Sequence, residues 1–301
     1  MTPKFELRVL ERESATLDTI IPILKHNGGV VIRNFMSPEI LGAVIEEVKP
    51  HFGDHLGERG EIFAKQSQVV SGLAAKSPSF VENIICDPLY GSICDYLLTS
   101  RFTSWYGSEQ VTFDAQPQLN AAVSIRNQPG GEAQKLHRDD MGHHNHLPRI
   151  APEEYAIGRD TGVGIFVAAT HTSKENGATR FIPGSHLWGP ENAPDESLTV
   201  PVELNPGDVF FMLASCYHGG SANTTMSEQR MIFSAFMTKG FLRQEENQYL
   251  TVPKEKLQGL SVEACRRLGF APSEPFLGWV DLNDPRTALG LPTELKAGET
   301  K

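Results

Sequence analysis
Asn205-Pro206-Gly207-Asp208-Val209-Phe210-Phe211-Met212-Leu213 decides the fold class, because a Pro-Gly turn runs straight into an unbroken apolar stretch. Val and Phe favour extended backbone, and a run this short between turn residues reads as a buried strand. The same texture recurs on both sides. Apolar runs lie at 119–125, 161–169, 179–182 and 231–237, with turns at Gln128-Pro129-Gly130-Gly131 and Pro183-Gly184-Ser185 among them. Regularly spaced short strands of this kind predict a sandwich or jelly roll over residues 118–240.

The flanks read differently. Residues 1–117 predict a mixed scaffold with helical emphasis, and 1–76 hold no cluster of chemical residues. Gly29-Val30-Val31-Ile32-Arg33-Asn34-Phe35 reads as a buried strand after a Gly-Gly turn. Ser37-Pro38-Glu39 opens a helix, with Ser37 as cap and Pro38 at the first helical position. Ile40, Leu41, Val44, Ile45 and Val48 give that helix one apolar face. A second helical region spans 80–98 and breaks at Asp87-Pro88, while 262–269 predicts a helix ending at Gly269. The expectation is a single catalytic domain, mainly β with flanking helices, in which residues 241–301 form a lid or a dimer contact.

Composition excludes more than it assigns. The 301 residues suffice for one large domain. A formal net charge of −10 and the lack of any Lys/Arg-rich run argue against a nucleic-acid binder, which needs a basic footprint. Cys86, Cys94, Cys216 and Cys265 make no CxxC pair, so reduced, buried thiols are expected. No apolar run is long enough to span a membrane, and the N-terminus lacks the apolar core of a signal peptide. The closing Gly298-Glu299-Thr300-Lys301 is not a peroxisomal tripeptide. A cytoplasmic location is the expectation.

Chemistry concentrates in His137-Arg138-Asp139, with His218 and Arg230 downstream. Residues two apart in an extended chain face the same side, so His137 and Asp139 can share a site. His218 follows the 209–213 strand and precedes Gly219-Gly220, the place for a ligand at a strand end. Two imidazole nitrogens and one hard carboxylate oxygen make the facial triad of non-haem Fe(II) oxygenases. The H-x-D spacing by itself fits a surface histidine beside a turn aspartate better. Arg230 opens an otherwise apolar strand, where an unpaired guanidinium is costly. Its partner is either a protein carboxylate or the distal carboxylate of a dicarboxylate cosubstrate, which matches the bidentate fork.

Three segments together resemble the phytanoyl-CoA dioxygenase-like branch of the Fe(II)/2-oxoglutarate-dependent oxygenases. They are Gln134-Lys135-Leu136-His137-Arg138-Asp139, Glu175-Asn176-Gly177-Ala178-Thr179-Arg180-Phe181-Ile182-Pro183-Gly184-Ser185-His186, and Asn205-Pro206-Gly207-Asp208 leading to His218 and Arg230. Within that branch the chain is most similar to fungal dioxygenases that tailor meroterpenoids and alkaloids. Phe241-Leu242-Arg243-Gln244-Glu245-Glu246-Asn247 and Gly278-Trp279-Val280-Asp281 add to the likeness. The resemblance implies a double-stranded β-helix core, cupin-like, with His137, Asp139 and His218 as iron ligands. It implies Arg230 as the anchor of 2-oxoglutarate, helped by Thr179, with Gln134 near the metal. It further implies Fe(II), 2-oxoglutarate and O2 acting on an apolar polycyclic substrate by hydroxylation, desaturation, rearrangement or endoperoxidation, in a homodimer. An acyl-CoA hydroxylase, a zinc-dependent cupin-like enzyme and a non-redox cosubstrate sensor are the rival readings.

Other residues invite assignment and are read more plainly. His143, His144 and His146 fall in a polar loop near Pro148, as surface or rim side chains. His186 is read as fixing a turn, Asp140 as pointing away from the site, and Cys216 as a small core filler. Phe63, Tyr106, Met141 and Trp188 can line an apolar pocket, although aromatics are more often plain core.

Overall fold
The computed structural model describes residues 4–53 and 66–293, so Phe63 lies outside the described residues. Among the described residues, twelve strands run in the order β1 (Arg8–Glu11), β2 (Gly29–Arg33), β3 (Ser67–Ser71), β4 (Ser100–Tyr106), β5 (Glu109–Ala115), β6 (Gln118–Asn127), β7 (Gly162–Ala168), β8 (Thr179–Phe181), β9 (Val200–Val202), β10 (Val209–Leu213), β11 (His218–Gly220) and β12 (Arg230–Thr238). A seven-stranded sheet takes the order β1-β2-β10-β7-β12-β6-β3, and a three-stranded sheet the order β11-β8-β9. All pairs are antiparallel except β1 with β2. A cavity opens between the two sheets, which makes the core a jelly roll with flanking helices, as the strand spacing predicted.

Local signals placed most elements. The Asn205-Pro206-Gly207-Asp208 turn is held by Asp208, whose carboxylate accepts from Asn205 N–H at 2.7 Å and pairs with Arg33 at 2.6 Å. Ser37 Oγ accepts from Ile40 N–H at the start of the helix Pro38–Val48, which buries Leu41, Val44 and Val48. Asp87 Oδ1 accepts from Leu89 and Tyr90 N–H and opens the helix Pro88–Leu98. From that helix the buried Tyr90 hydroxyl reaches the carbonyls of Val163 and Ala235 at 2.9 and 3.1 Å. It thereby fastens the helix to the back of β7 and β12.

The helix Val262–Arg267 ends before Gly269, whose φ of +93° suits glycine. Two features depart from the sequence reading. The scaffold before residue 118 supplies three strands of the main sheet, β1, β2 and β3. It also carries a hairpin, β4–β5, that pairs with neither sheet.

Candidate active site
Three backbone links bring the chemistry together. His137 and His218 form an antiparallel bridge, each N–H donating to the other's carbonyl at 2.9 and 3.0 Å. The N–H groups of Asp139 and Asp140 both donate to Ala214 O, in the turn that leaves β10 for β11. The chain is extended through Arg138 and then tightens into a 3-10 turn, Asp139–His143. His137 and Asp139 therefore face the cavity together, while Arg138 turns out to bind the carbonyls of Ser185 and Trp188 at 2.8 and 3.1 Å.

One nitrogen or oxygen from each of His137, Asp139 and His218 lies within 4.8 Å of the others. Asp139 Oδ1 is 3.5 Å from His137 Nε2, and Oδ2 is 3.5 Å from His218 Nε2. Each imidazole is oriented from behind. His137 Nδ1 is 2.8 Å from Lys135 O, and His218 Nδ1 is 3.2 Å from Cys216 O. A carbonyl only accepts, so Nδ1 carries the proton and Nε2 presents its lone pair to the cavity. Burial opposes charge on Asp139, yet His218 and His137 hold its carboxyl below the usual carboxylate range. Burial opposes protonation of His137 as well, and the hydrogen bond and charge of Asp139 raise it nonetheless. His218, deeper in the wall, is lowered by burial.

Arg230 opens β12 at one end of the same cavity, fully enclosed by protein. Its Nε and Nη2 donate to Gly177 O, the former at 3.0 Å, and Nη1 is buried without a partner. No carboxylate among the described residues pairs with it. Burial alone pulls its pKa down to about 10, so it stays protonated. Gly177 makes this contact at φ +103°, and a Cβ there would lie 2.4 Å from Asn127 Nδ2. Thr179 and Gln134 line the cavity beside Arg230. Gln134 Oε1 accepts from Gly220 N–H at 2.8 Å.

The cavity measures 130 Å³, roughly ten times the space one water needs. Its apolar walls come from Phe166, Phe236, Ile125, Ile232, Val123 and Ala121. The chain reading did not single out these residues, nor the polar lining residues Ser234, Asn127 and Glu245. Reading β12 at period two from Arg230 gives Ile232, Ser234 and Phe236, so a signal for part of the wall was present.

The other candidates fall elsewhere. His143 Nε2 donates to Arg243 O at 3.1 Å, while His144 and His146 are exposed. His186 is buried against Lys25 O at 3.0 Å, and Asp140 binds Asn145 at 3.0 Å instead of joining the triad. Asp140 sits in the 3-10 turn, not in a strand, and burial raises it to about 6. Cys216 Sγ faces Gly28 O at 3.4 Å, away from the cavity. Tyr106 and Met141 are solvent-exposed, and Trp188 packs near Tyr217.

Sequence comparison decides the family. The profile described as phytanoyl-CoA dioxygenase (PhyH) matches residues 24–232. The chain belongs to the phytanoyl-CoA dioxygenase family. Among relatives of this family member, the dioxygenase himG of Aspergillus japonicus is 50% identical, covering 96% of this chain and 92% of its own length. The dioxygenase peniF of Penicillium patulum is 42% identical, covering 96% and 93%. A solved structure of HygX from Streptomyces hygroscopicus, with nickel, 2-oxoglutarate and hygromycin B bound, aligns with a TM-score of 0.55 at 16% identity, covering 76% of this chain and 89% of that one. The α-ketoglutarate-dependent carbocyclase SnoK from nogalamycin biosynthesis aligns at 0.53 and 18%, covering 76% and 85%. These likenesses establish the shared fold. This member of the phytanoyl-CoA dioxygenase family is a non-haem iron, 2-oxoglutarate-dependent dioxygenase.

The residues present fit that pairing. Asp139 Oδ2 is buried with no hydrogen-bond partner, the state of an oxygen that awaits a cation, and the two Nε2 atoms complete a nitrogen–oxygen donor set suited to Fe(II). The unpartnered Nη1 of Arg230 fits a carboxylate in the same way.

Proposed function
We propose that this dioxygenase oxidises an apolar, polycyclic natural product of terpenoid, meroterpenoid or alkaloid type. His137, Asp139 and His218 hold Fe(II), and Arg230 takes the distal carboxylate of 2-oxoglutarate. Thr179 adds a hydroxyl to that carboxylate, and Gln134 lies beside the cosubstrate near the metal. The observation that carries the reading is the buried Arg230 with a free Nη1 in the cavity that also holds the triad. Iron and 2-oxoglutarate bound there supply a dioxygen-derived oxidant for unactivated C–H bonds, with succinate and carbon dioxide as coproducts.

The chain's own residues do the rest. Arg230 fixes the cosubstrate, the main-chain carbonyls of Lys135 and Cys216 fix the imidazoles, and Phe166, Phe236 and Ile232 keep water from the reacting bond. The apolar walls support an apolar substrate, and the outcome (hydroxylation, desaturation, rearrangement or endoperoxidation) follows from where the substrate carbon is held. Four free cysteines support a reducing, cytoplasmic setting. No helix among the described residues is long and apolar enough to cross a membrane.

The test is an anaerobic titration with Fe(II) and then 2-oxoglutarate, watching for a visible charge-transfer band. The band should vanish in His137→Ala. In Arg230→Ala, half-saturation should need about 30-fold or more 2-oxoglutarate, the cost of losing a buried charged hydrogen bond. Folded wild-type protein that gives no band would refute the site.

A further inference from the structure
The cavity floor is ordered along two strands. β12 and β6 pair Arg230 with Asn127, Ile232 with Ile125, Ser234 with Val123 and Phe236 with Ala121. From Arg230 to Phe236 the strand covers about 20 Å at ~3.3 Å per residue. The triad stands between those ends. Phe166 pairs with Ser234 and packs 6.0 Å from the His218 ring. A dicarboxylate that joins the triad to Arg230 fills one half, and the end marked by Ala121 and Phe236 is left for the substrate.

Glu245 stands at that open end. Its N–H donates to Asn120 Oδ1 at 2.8 Å, and its Oε2 accepts from Asn120 Nδ2 at 3.2 Å. The strand residue beside Ala121 thus holds the carboxylate against the cavity it lines. Among the described residues, His143 is the one basic group acting on it. Burial and then the charge of Asp139 raise its pKa against the opposing pull of His143 and Asn120, as expected for a buried carboxylate beside a like charge. A divalent metal, Asp139, a dicarboxylate and Arg230 sum to zero formal charge. Glu245 therefore leaves the cavity negative, and Glu132 in the same lining adds to the excess.

We infer that Glu245 is the specificity-determining carboxylate of the substrate end, and that it takes a cationic amine carried on an apolar ring system. The inference rests on the cosubstrate position proposed above. Phe166 and Phe236 suit the ring body, and aromatic faces also favour a nearby cation. The amine supplies the charge that the cavity lacks and a charge-assisted hydrogen bond to the carboxylate.

The test loads the full chain anaerobically with Co(II) and 2-oxoglutarate and follows the visible cobalt bands as three indoles are added. Tryptamine is cationic, 3-ethylindole neutral and indole-3-propionate anionic. Wild-type protein should bind tryptamine about tenfold or more tightly than 3-ethylindole, with the anion weakest. Glu245→Gln preserves the shape and the Asn120 contact, and should bring tryptamine and 3-ethylindole within about twofold of one another at unaltered 2-oxoglutarate affinity. Glu245→Lys should invert the order of cation and anion. Equal binding of tryptamine and 3-ethylindole by wild type, or a preference that survives Glu245→Gln, overturns the inference. Failure of cobalt and 2-oxoglutarate to give any band overturns the underlying reading of the site, and this inference with it.

Discussion

Asp139 Oδ2 is buried and accepts no hydrogen bond from the protein, which leaves it available to the proposed metal. Asp139→Ala leaves two neutral ligands. It should abolish iron-dependent turnover and weaken Fe(II) binding by more than about 100-fold, beyond the loss typical of an outer-shell partner. Anaerobic titration checks this, and full activity in the variant would refute the triad. His186 shows the opposite economy. Burial pushes it down to about 4 from 6.5, so the folded state keeps it neutral while the unfolded chain takes up a proton below 6.5. Its stabilising effect is complete above pH 6.5 and is lost as pH falls towards 4, by about 3 kcal/mol. His186→Gln should flatten the urea-unfolding stability between pH 7 and 4.5, and an unchanged slope would show that another group governs it. The H-x-D spacing marked His137 and Asp139 as candidates in the chain, and the Pro-Gly-Ser-His context set His186 apart from them, though not its contact with Lys25 O. Glu245 was visible only as one residue of the 241–247 segment, since a glutamate in a loop carries no spacing that marks a role.

Elements carry these residues, and their junctions are narrow. Gly28 caps the helix Leu17–Asn27 at φ +80° and leads into β2. A Cβ there would lie 2.3 Å from Cys216 Sγ and 2.6 Å from His186 Nδ1. Gly28→Ala should cost about 3 kcal/mol, from the left-handed backbone and the overpacking together. Because Cys216 O orients His218, the same change should weaken Fe(II) binding even where the protein stays folded. Thermal unfolding with iron titration on one sample separates the two effects, and a variant of wild-type stability would remove the argument. Six strands, β2, β6, β7, β8, β10 and β12, were legible because their apolar runs fall between turn signals. β11 was unreadable, since His218-Gly219-Gly220 has no strand propensity and forms through its partners Thr179, Arg180 and Phe181. The hairpin β4–β5 escaped for a related reason: Ser100–Tyr106 has no continuous apolar run to announce it.

At the scale of the whole molecule, that hairpin has one apolar face. Phe102 pairs with Phe113 and Tyr106 lies further along the same side, while Arg101–Asp114 and Thr103–Thr112 occupy the other. On the apolar side Phe102 and Tyr106 are 60% and 73% exposed, and a lone two-stranded ribbon is marginal in water. We therefore expect a homodimer that covers this face. Light scattering should give twice the 33.1 kDa chain mass, and Phe102→Glu should return it to one. A wild-type monomer would refute that. The antiparallel register of β6 and β12 has a wider consequence. It spaces Arg230, the proposed cosubstrate anchor, and the residues facing position 121 along one rigid strand, so an exchange at Ala121 or Phe236 should alter what is oxidised without disturbing what powers the oxidation. A lineage can diversify its products at one end of such a strand while the other end keeps its ancestral task.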